Sequence, residues 1–211
     1  MTAKKEYYKQ NAKKVITSLA KRHMVGYYCE SKEEALKKAL EIMNKGATIS
    51  WGGSQTLREI GILKELKNHN YILLDRETAK SQEELEKIYH QSFSADYYLM
   101  STNAITINGK LINMDGRGNR IAALIYGPKN VIVFAGINKV VPNVEAGIER
   151  IKALAAPMNA IRLQTKTPCN ISGYCQDCNS TNSICSNLLI TRLSKTPNRI
   201  KVILIGEELG Y

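Results

Sequence analysis

The sequence predicts an α/β domain in which a mostly parallel open sheet is flanked by helices and carries an inserted β-hairpin. Short apolar runs alternate with stretches of helical period along the 211 residues, an alternation typical of βαβ units. In residues 104–114, two alternating runs flank Asn108–Gly109, the commonest signal for a two-residue hairpin turn. The length suits a single domain over residues 1–211.

Residues 3–45 are predicted to form two peripheral helices. A weak helical period covers residues 3–22. The second helix starts after Ser31, which has Glu34 three residues later in a capping-box pattern, and its apolar face stops at Gly46. Both segments are rich in lysine and glutamate, which is typical of solvated helix faces.

The remaining elements follow in order along the chain. Strands are predicted at Ala47–Trp51, Tyr71–Asp75, Tyr97–Ser101, Val131–Ala135, Ile161–Thr165 and Lys201–Ile205. Helices are predicted at Gln55–Leu66, Ser81–Gln91 and Arg120–Tyr126, and from Pro142, at a first helical turn, to about Ala156. An irregular cysteine-rich segment, residues 168–187, precedes the last strand.

Composition and charge narrow the class of partner. With 44% hydrophobic and 23% charged residues the chain should fold. Thirty Lys and Arg against 19 Asp and Glu give a net charge of +11. The excess is spread along the chain without an RRM, helix-turn-helix or zinc-finger pattern, so small anionic ligands are expected and nucleic acid is not.

Composition also gives expectations about the location and the assembly of the protein. No window approaches the roughly 20 apolar residues that span a bilayer, and the N-terminus is polar and lysine-rich. A cytoplasmic protein without a membrane span is therefore expected. A homodimer is the default assembly, because symmetric dimers are common.

The first candidate site is the loop between the predicted strand Ala47–Trp51 and the helix that follows. Small residues allow close backbone approach, and amides at a helix N-terminus attract anions. The alternative is an ordinary helix cap. The candidate anion-binding residues are Gly52, Gly53, Ser54 and Thr56.

The second candidate site combines Asn103, which precedes the predicted hairpin, with a glycine-rich loop after the hairpin that supplies a carboxylate, amides and guanidinium groups. Such a loop suits a carboxylate or phosphate ligand, with Asp115 as a candidate acid or base. Alternatively, Asp115 satisfies backbone amides in a turn. The candidate anion-binding residues are Asn103, Asn119 and Arg120.

The third candidate site follows the apolar strand Val131–Ala135. Asn138 and Lys139 stand at its carboxyl end, where a lysine could neutralise an anion or orient Glu145, a second candidate acid or base. A surface pair between Lys139 and Glu145, worth under about 1 kcal/mol, is the alternative.

Four of the five cysteines lie within 17 residues, at Cys169, Cys175, Cys178 and Cys185. Clustered thiols in a cytosolic chain are read first as metal ligands. Four thiolates could hold zinc or an iron–sulfur cluster. The spacing of these cysteines, however, matches neither a zinc ribbon nor a ferredoxin. Redox-active thiols and reduced, unliganded thiols are the alternatives. Cys29 is expected to be a packed residue.

Several motifs in order resemble the LUD domain, the lactate-utilisation C-type protein family formerly listed as a domain of unknown function. They read WGGSQTLREIGI, STNAIT, GKLINMDGRGNR, GPKNVIVFAGINKVV and EAGIERI, and the resemblance covers roughly residues 5–190. It implies the fold shared with ribose-5-phosphate isomerase, glucosamine-phosphate deaminase and coenzyme A transferases. By that similarity one cleft would be lined by Gly52, Gly53, Ser54, Thr56, Asn103, Asp115, Asn119, Arg120, Asn138 and Lys139.

The family is associated with an operon whose products oxidise L-lactate to pyruvate through an iron–sulfur complex. The resemblance therefore implies a protein of organic-acid (L-lactate) utilisation, a subunit of a redox complex with redox protein partners and an iron–sulfur or zinc site. The alternative is a stand-alone enzyme that acts on a sugar-phosphate or acyl-CoA anion. A third hypothesis is a binding or regulatory protein with structural zinc. The sequence therefore leaves open whether the chain is an enzyme.

Overall fold

The computed structural model describes residues 2–211, within which ten strands form two sheets. The strands are β1 Val25–Cys29, β2 Thr48–Trp51, β3 Ile72–Leu74, β4 Tyr97–Ser101, β5 Ala104–Thr106, β6 Leu111–Asp115, β7 Asn130–Gly136, β8 Val140–Val141, β9 Asn187–Thr191 and β10 Ile200–Ile205. The main sheet has the order β1-β10-β7-β4-β2-β3, and all its pairs are parallel. The predicted mostly parallel α/β fold is confirmed.

The predicted hairpin is the centre of the second sheet. Strands β5 and β6 pair antiparallel across a turn in which Gly109 has a φ of +79°, a conformation that favours glycine. The sheet has the order β8-β5-β6-β9. The hairpin is therefore extended on both sides, by a strand that follows β7 and by one that follows the cysteine-rich segment.

Helices cover both faces of the main sheet. They are α1 Ala3–Ala20, α2 Lys32–Ile42, α3 Gln55–Ile60, α4 Ile62–Glu65, α5 Gln82–Gln91, α6 Asn119–Ile125, α7 Val144–Arg150, α8 Ala156–Leu163 and α9 Pro168–Ser172. Both predicted capping residues act as expected, because the Ser31 and Ser81 hydroxyls accept from backbone amides three residues later. No helix in residues 2–211 is both long and apolar enough to span a membrane.

Alternating strand residues supply two hydrophobic cores, one on each face of the main sheet. Ile132 and Phe134 of β7 pack on the side of α2 and α3, whereas Val131 and Val133 pack on the side of α1 and α6. The central strand β7 is therefore buried on both faces, as its continuous apolar run predicts.

Several details differ from the predicted elements, and strands β8 and β9 and the short helix α9 in the segment predicted to be irregular were not predicted. An edge strand, β1, lies between the two N-terminal helices, and Gly61, with a φ of +80°, separates α3 from α4. The strand predicted at Ile161–Thr165 is wrong, because α8 runs to Leu163; short apolar runs fit either element. Pro142 precedes the cap Asn143 instead of lying in the first turn of α7, from which a π-helical turn continues to α8.

Candidate functional site

The carboxyl ends of β2, β4 and β7 meet at a cleft of about 280 Å³. Crevices at this edge of an open parallel sheet are the usual ligand position in α/β proteins. Residues from all three candidate loops line it together: Gly53, Ser54, Thr56, Asn103, Asp115, Asn119, Arg120 and Lys139. The structure thus brings most of the predicted anion-binding residues to one place.

The loop after β2 makes room for two arginine side chains. A Cβ on Gly53 would lie 2.6 Å from Nη2 of Arg76, and a Cβ on Gly52 would lie 3.0 Å from Cδ of Arg120. Gly52 is not among the residues that line the cleft. Ser54 caps α3 through its hydroxyl, 3.3 Å from the amide of Leu57, as the ordinary capping alternative proposed.

Arg120 is held by protein acceptors. Its Nε lies 3.1 Å from Oδ2 of Asp115, and its Nη1 donates to Oδ1 of Asn113 at 2.6 Å. Its Nη2 donates to the carbonyl of Met114 at 2.6 Å and to Oδ1 of Asn103 at 3.3 Å. Arg120 thus adds positive charge to the cleft while fixing the hairpin against the loop that follows it.

Asp115 is buried and engaged on both oxygens. Oδ1 accepts the amide of Gly118 at 2.8 Å, and Oδ2 faces Arg120. These contacts correspond to the turn-forming role that the sequence left open. The position of Asp115 on the cleft wall keeps it within reach of a ligand.

Lys139 lies at the bottom of the cleft with 3% of its surface exposed. Its ammonium nitrogen donates to Oγ1 of Thr56 at 2.8 Å and to Oγ of Ser101 at 2.9 Å. Burial, together with the charges of Arg150 and Arg120, lowers the pKa of Lys139 to about 7. The neutral amine is therefore more accessible at neutral pH than it is in an ordinary lysine.

Besides Gly52, two predicted cleft residues, Glu145 and Asn138, lie outside the cleft lining within residues 2–211. Glu145 is exposed in the first turn of α7, so the structure does not pair it with buried Lys139. Asn138 fixes the C-terminal segment, accepting from the amide of Leu209 at 3.2 Å and donating to the carbonyl of Gly210 at 3.4 Å.

Further cleft residues were missed by the sequence analysis. Arg76 comes two residues after the end of β3, so its place after a parallel strand was a usable signal. Arg162 is on α8, where a strand was predicted. Arg76 has no ion pair or side-chain hydrogen bond with any of residues 2–211, and Arg162 donates to Asn159. Gln55, Ser101, Thr102 and Arg117 belong to the sequence motifs but were not assigned as ligands, whereas the missed lining residues include Arg76, Asn159, Arg162 and Tyr211.

The four clustered cysteines line a second cavity, of about 70 Å³. Burial raises the pKa of Cys185 to about 11, and the other three thiols contribute. In the described part of the chain, no three His, Cys, Asp or Glu side chains are grouped closely enough to hold a metal ion. Cys29 is buried in β1, as expected.

The two cavities are neighbours. Met114 of β6 and Ile184 line both of them, and a Cβ on Gly116 would lie 2.9 Å from Cα of Ile184. The loop after β6 and the end of the cysteine-rich segment therefore form a common wall.

Fold and cleft together define an α/β domain with a cationic binding site at the carboxyl edge of a parallel sheet. The family model of the LUD domain matches residues 12–205, and the chain belongs to the LUD domain family. The resemblance drawn from the sequence motifs is thereby confirmed.

Comparison with one solved structure of similar length supports the fold. A DUF162 family protein from Deinococcus radiodurans is similar over 95% of this chain and 98% of its own, with 15% identity and a TM-score of 0.52. The eIF2B delta subunit from Chaetomium thermophilum matches 56% of this chain and 50% of its own, with 18% identity and a TM-score of 0.37. Among curated proteins the comparison finds no match.

Proposed function

We propose that this LUD-domain protein takes part in organic-acid utilisation, that of L-lactate in particular, by binding a small carboxylate anion in the cleft. The observation that supports this best is Arg76, a half-buried residue that lines the cleft without an ionic partner in residues 2–211. A planar guanidinium can bind a carboxylate through two parallel hydrogen bonds.

The charge and size of the cleft support the same class of ligand. Its lining includes four arginines and Lys139, against the single carboxylate side chain of Asp115 among the described lining residues. Asp115 is already paired with Arg120, and Arg117 is paired with Glu86 outside the cleft lining. Arg76 and Arg162 therefore leave a net positive charge that faces the ligand. The volume of about 280 Å³ suits a small organic acid and is at the lower limit of ligand pockets.

Replacement of Arg76 tests this proposal. We expect R76Q to weaken binding of L-lactate or pyruvate about tenfold or more, because a charge-assisted hydrogen bond is lost. Isothermal titration calorimetry measures it. R58Q is the matched control: it also removes one arginine charge, but Arg58 pairs with Glu77 at the surface. Equal affinity in R76Q and wild type would contradict the assignment of Arg76.

The four-cysteine cavity supports the second part of the proposal, a redox-complex subunit that holds an iron–sulfur cluster or zinc. Four thiols from one segment surround one cavity, and thiolates are the preferred ligands of both groups. Cys169, Cys175, Cys178 and Cys185 would hold it, and an iron–sulfur cluster would supply one-electron transfer. Because these thiols are not grouped at metal-binding distances in residues 2–211, binding requires the segment to close around the group.

Anaerobic purification tests the cysteine site. We expect iron with sulfide, or zinc, in stoichiometric amount in the wild-type protein and its loss in the double variant C175S/C178S. The measurement is elemental analysis with a visible spectrum. C29A is the control, because Cys29 is buried in β1 away from the cluster. Metal-free wild-type protein after anaerobic reconstitution would contradict a metal role.

A stand-alone enzyme acting on a sugar phosphate or acyl-CoA is the alternative, since the same guanidinium groups suit phosphate. In this case Asp115, on the cleft wall beside Arg120, would be the acid or base. The same calorimetric titrations, extended to ribose 5-phosphate and acetyl-CoA, distinguish this enzyme from an organic-acid-binding protein. Tighter binding of these compounds than of the organic acids would favour the enzyme.

A further inference from the structure

We infer that Lys139 is a nucleophile that forms an imine with the carbonyl carbon of a 2-oxo acid bound in the cleft. This inference rests on the proposed organic-acid function and narrows its ligand to the oxidised, keto form of the acid. A 2-hydroxy acid such as L-lactate has no carbonyl group next to its carboxylate, so it would bind without reacting.

Hydrogen bonding leaves one position of the Lys139 nitrogen open. Oγ1 of Thr56 and Oγ of Ser101 accept from this nitrogen, because both hydroxyls donate to backbone carbonyls, those of Leu209 and Thr102. A neutral amine has two N–H groups, and both are used here. Its lone pair therefore occupies the remaining tetrahedral position, for which residues 2–211 provide no hydrogen-bonding partner.

The cleft gives this nitrogen space. Lys139 contributes to the cleft lining although it is almost fully buried. Gly210, with a φ of +59°, passes beside it, and a Cβ there would lie 3.3 Å from the nitrogen. The absence of a side chain at Gly210 keeps that side of the amine free.

The charges around Lys139 favour its neutral, nucleophilic form. Arg150 on α7 and Arg120 on α6 disfavour protonation, as does burial, whereas the carboxylate of Glu59 on α3 favours it slightly. No carboxylate lies within 4.0 Å of the nitrogen among the described residues. Arg150 is itself fixed by the carbonyls of Asn138 and Asn103, so its charge is held in place.

The step is balanced without a further reactant. The amine lone pair attacks the carbonyl carbon, so that a C–N bond forms as the C=O π bond breaks. One of the two protons on the nitrogen moves to the former carbonyl oxygen and gives a carbinolamine. The second proton then leaves with that oxygen as water while the C=N bond forms. Nothing is oxidised or reduced, and the reaction reverses on hydrolysis.

Reductive trapping tests the inference on the full chain. The protein is incubated with pyruvate and sodium borohydride, which reduces an imine to a stable secondary amine, and the adduct is located by peptide mass mapping. We expect one adduct per chain, at Lys139, with none from L-lactate and little from acetone, which lacks a carboxylate. The trapping rate should rise with pH around 7, below the range in which ordinary lysines become neutral.

Two variants are matched. K139M should abolish the adduct, whereas K201R should retain it. Lys201 is also a partly buried lysine with a pKa lowered by burial. It lies near the start of β10, however, at the amino ends of the parallel strands and therefore away from the cleft at their carboxyl ends. Peptide mapping of the wild-type protein identifies the modified lysine even if K139M does not fold.

Calorimetry with pyruvate distinguishes failure of the inference about Lys139 from failure of the proposed function. Pyruvate binding without an adduct at Lys139 would overturn the nucleophile and leave the proposed function standing. No binding of any organic acid and no adduct would overturn both. Adducts spread over several lysines, Lys201 included, would show nonspecific modification and would also overturn the inference.

Discussion

At the scale of the residue, burial decides what the cleft side chains can do. Lys139 and Arg120 both carry a formal positive charge in the sequence, but their surroundings give them different roles. Arg120 is fixed by Asp115 and by carbonyl and amide oxygens. Lys139 has only two hydroxyls as partners among the described residues. The sequence identified both positions but not this difference, which depends on contacts between distant segments.

The lowered pKa of Lys139 makes stability depend on pH. In the folded state its pKa is about 7, whereas in the unfolded chain it has its ordinary, higher value. Between these two values the unfolded state binds one more proton, so the contribution of Lys139 to stability rises with pH, by at most about 1.4 kcal/mol per pH unit.

We therefore expect the stability difference between wild type and K139M to shift in favour of the wild type as the pH rises from 7 to 9. Subtracting the variant removes the contributions of other titrating groups. Urea unfolding at several pH values measures the difference. A difference that does not change with pH would show that Lys139 titrates like an exposed lysine.

At the scale of the element, prediction succeeded where the local sequence carries the signal. The hairpin turn at Asn108–Gly109, the caps Ser31 and Ser81 and the apolar run of β7 are each encoded within a few residues. Strands β1, β8 and β9 were missed, and each lies at an outer edge of its sheet. Most residues of β1 and β9 are partly buried or exposed, so these two strands lack a clear apolar pattern.

The candidate site shows the same difference between positions that the local sequence encodes and positions that it does not. The strand–loop pattern placed Gly53, Ser54, Thr56 and Asp115 on one edge of the sheet, and the structure brings them together. Arg162 could not be placed in this way. It reaches the cleft from α8, where the sequence predicted a strand, because the helix continues through a π-helical turn.

At the scale of the whole molecule, the chain returns to the interior of the main sheet after the cysteine-rich segment. Strand β9 completes the second sheet against β6, and β10 is then inserted between β1 and β7. The segment itself is largely exposed, with Ile171 exposed over 91% of its surface. A mostly exposed connection thus links two parts of a well-buried fold.

Limited proteolysis should therefore cut this connection first. Residues 167–191 contain no lysine or arginine, so subtilisin is the suitable protease, and exposed loops are its preferred sites. We expect one cut between residues 173 and 183, with both fragments eluting together in size-exclusion chromatography because β10 pairs on both sides. They should separate only in denaturant. Fragments that separate under native conditions would mean that the chain connection, not strand pairing, holds β10 in the sheet.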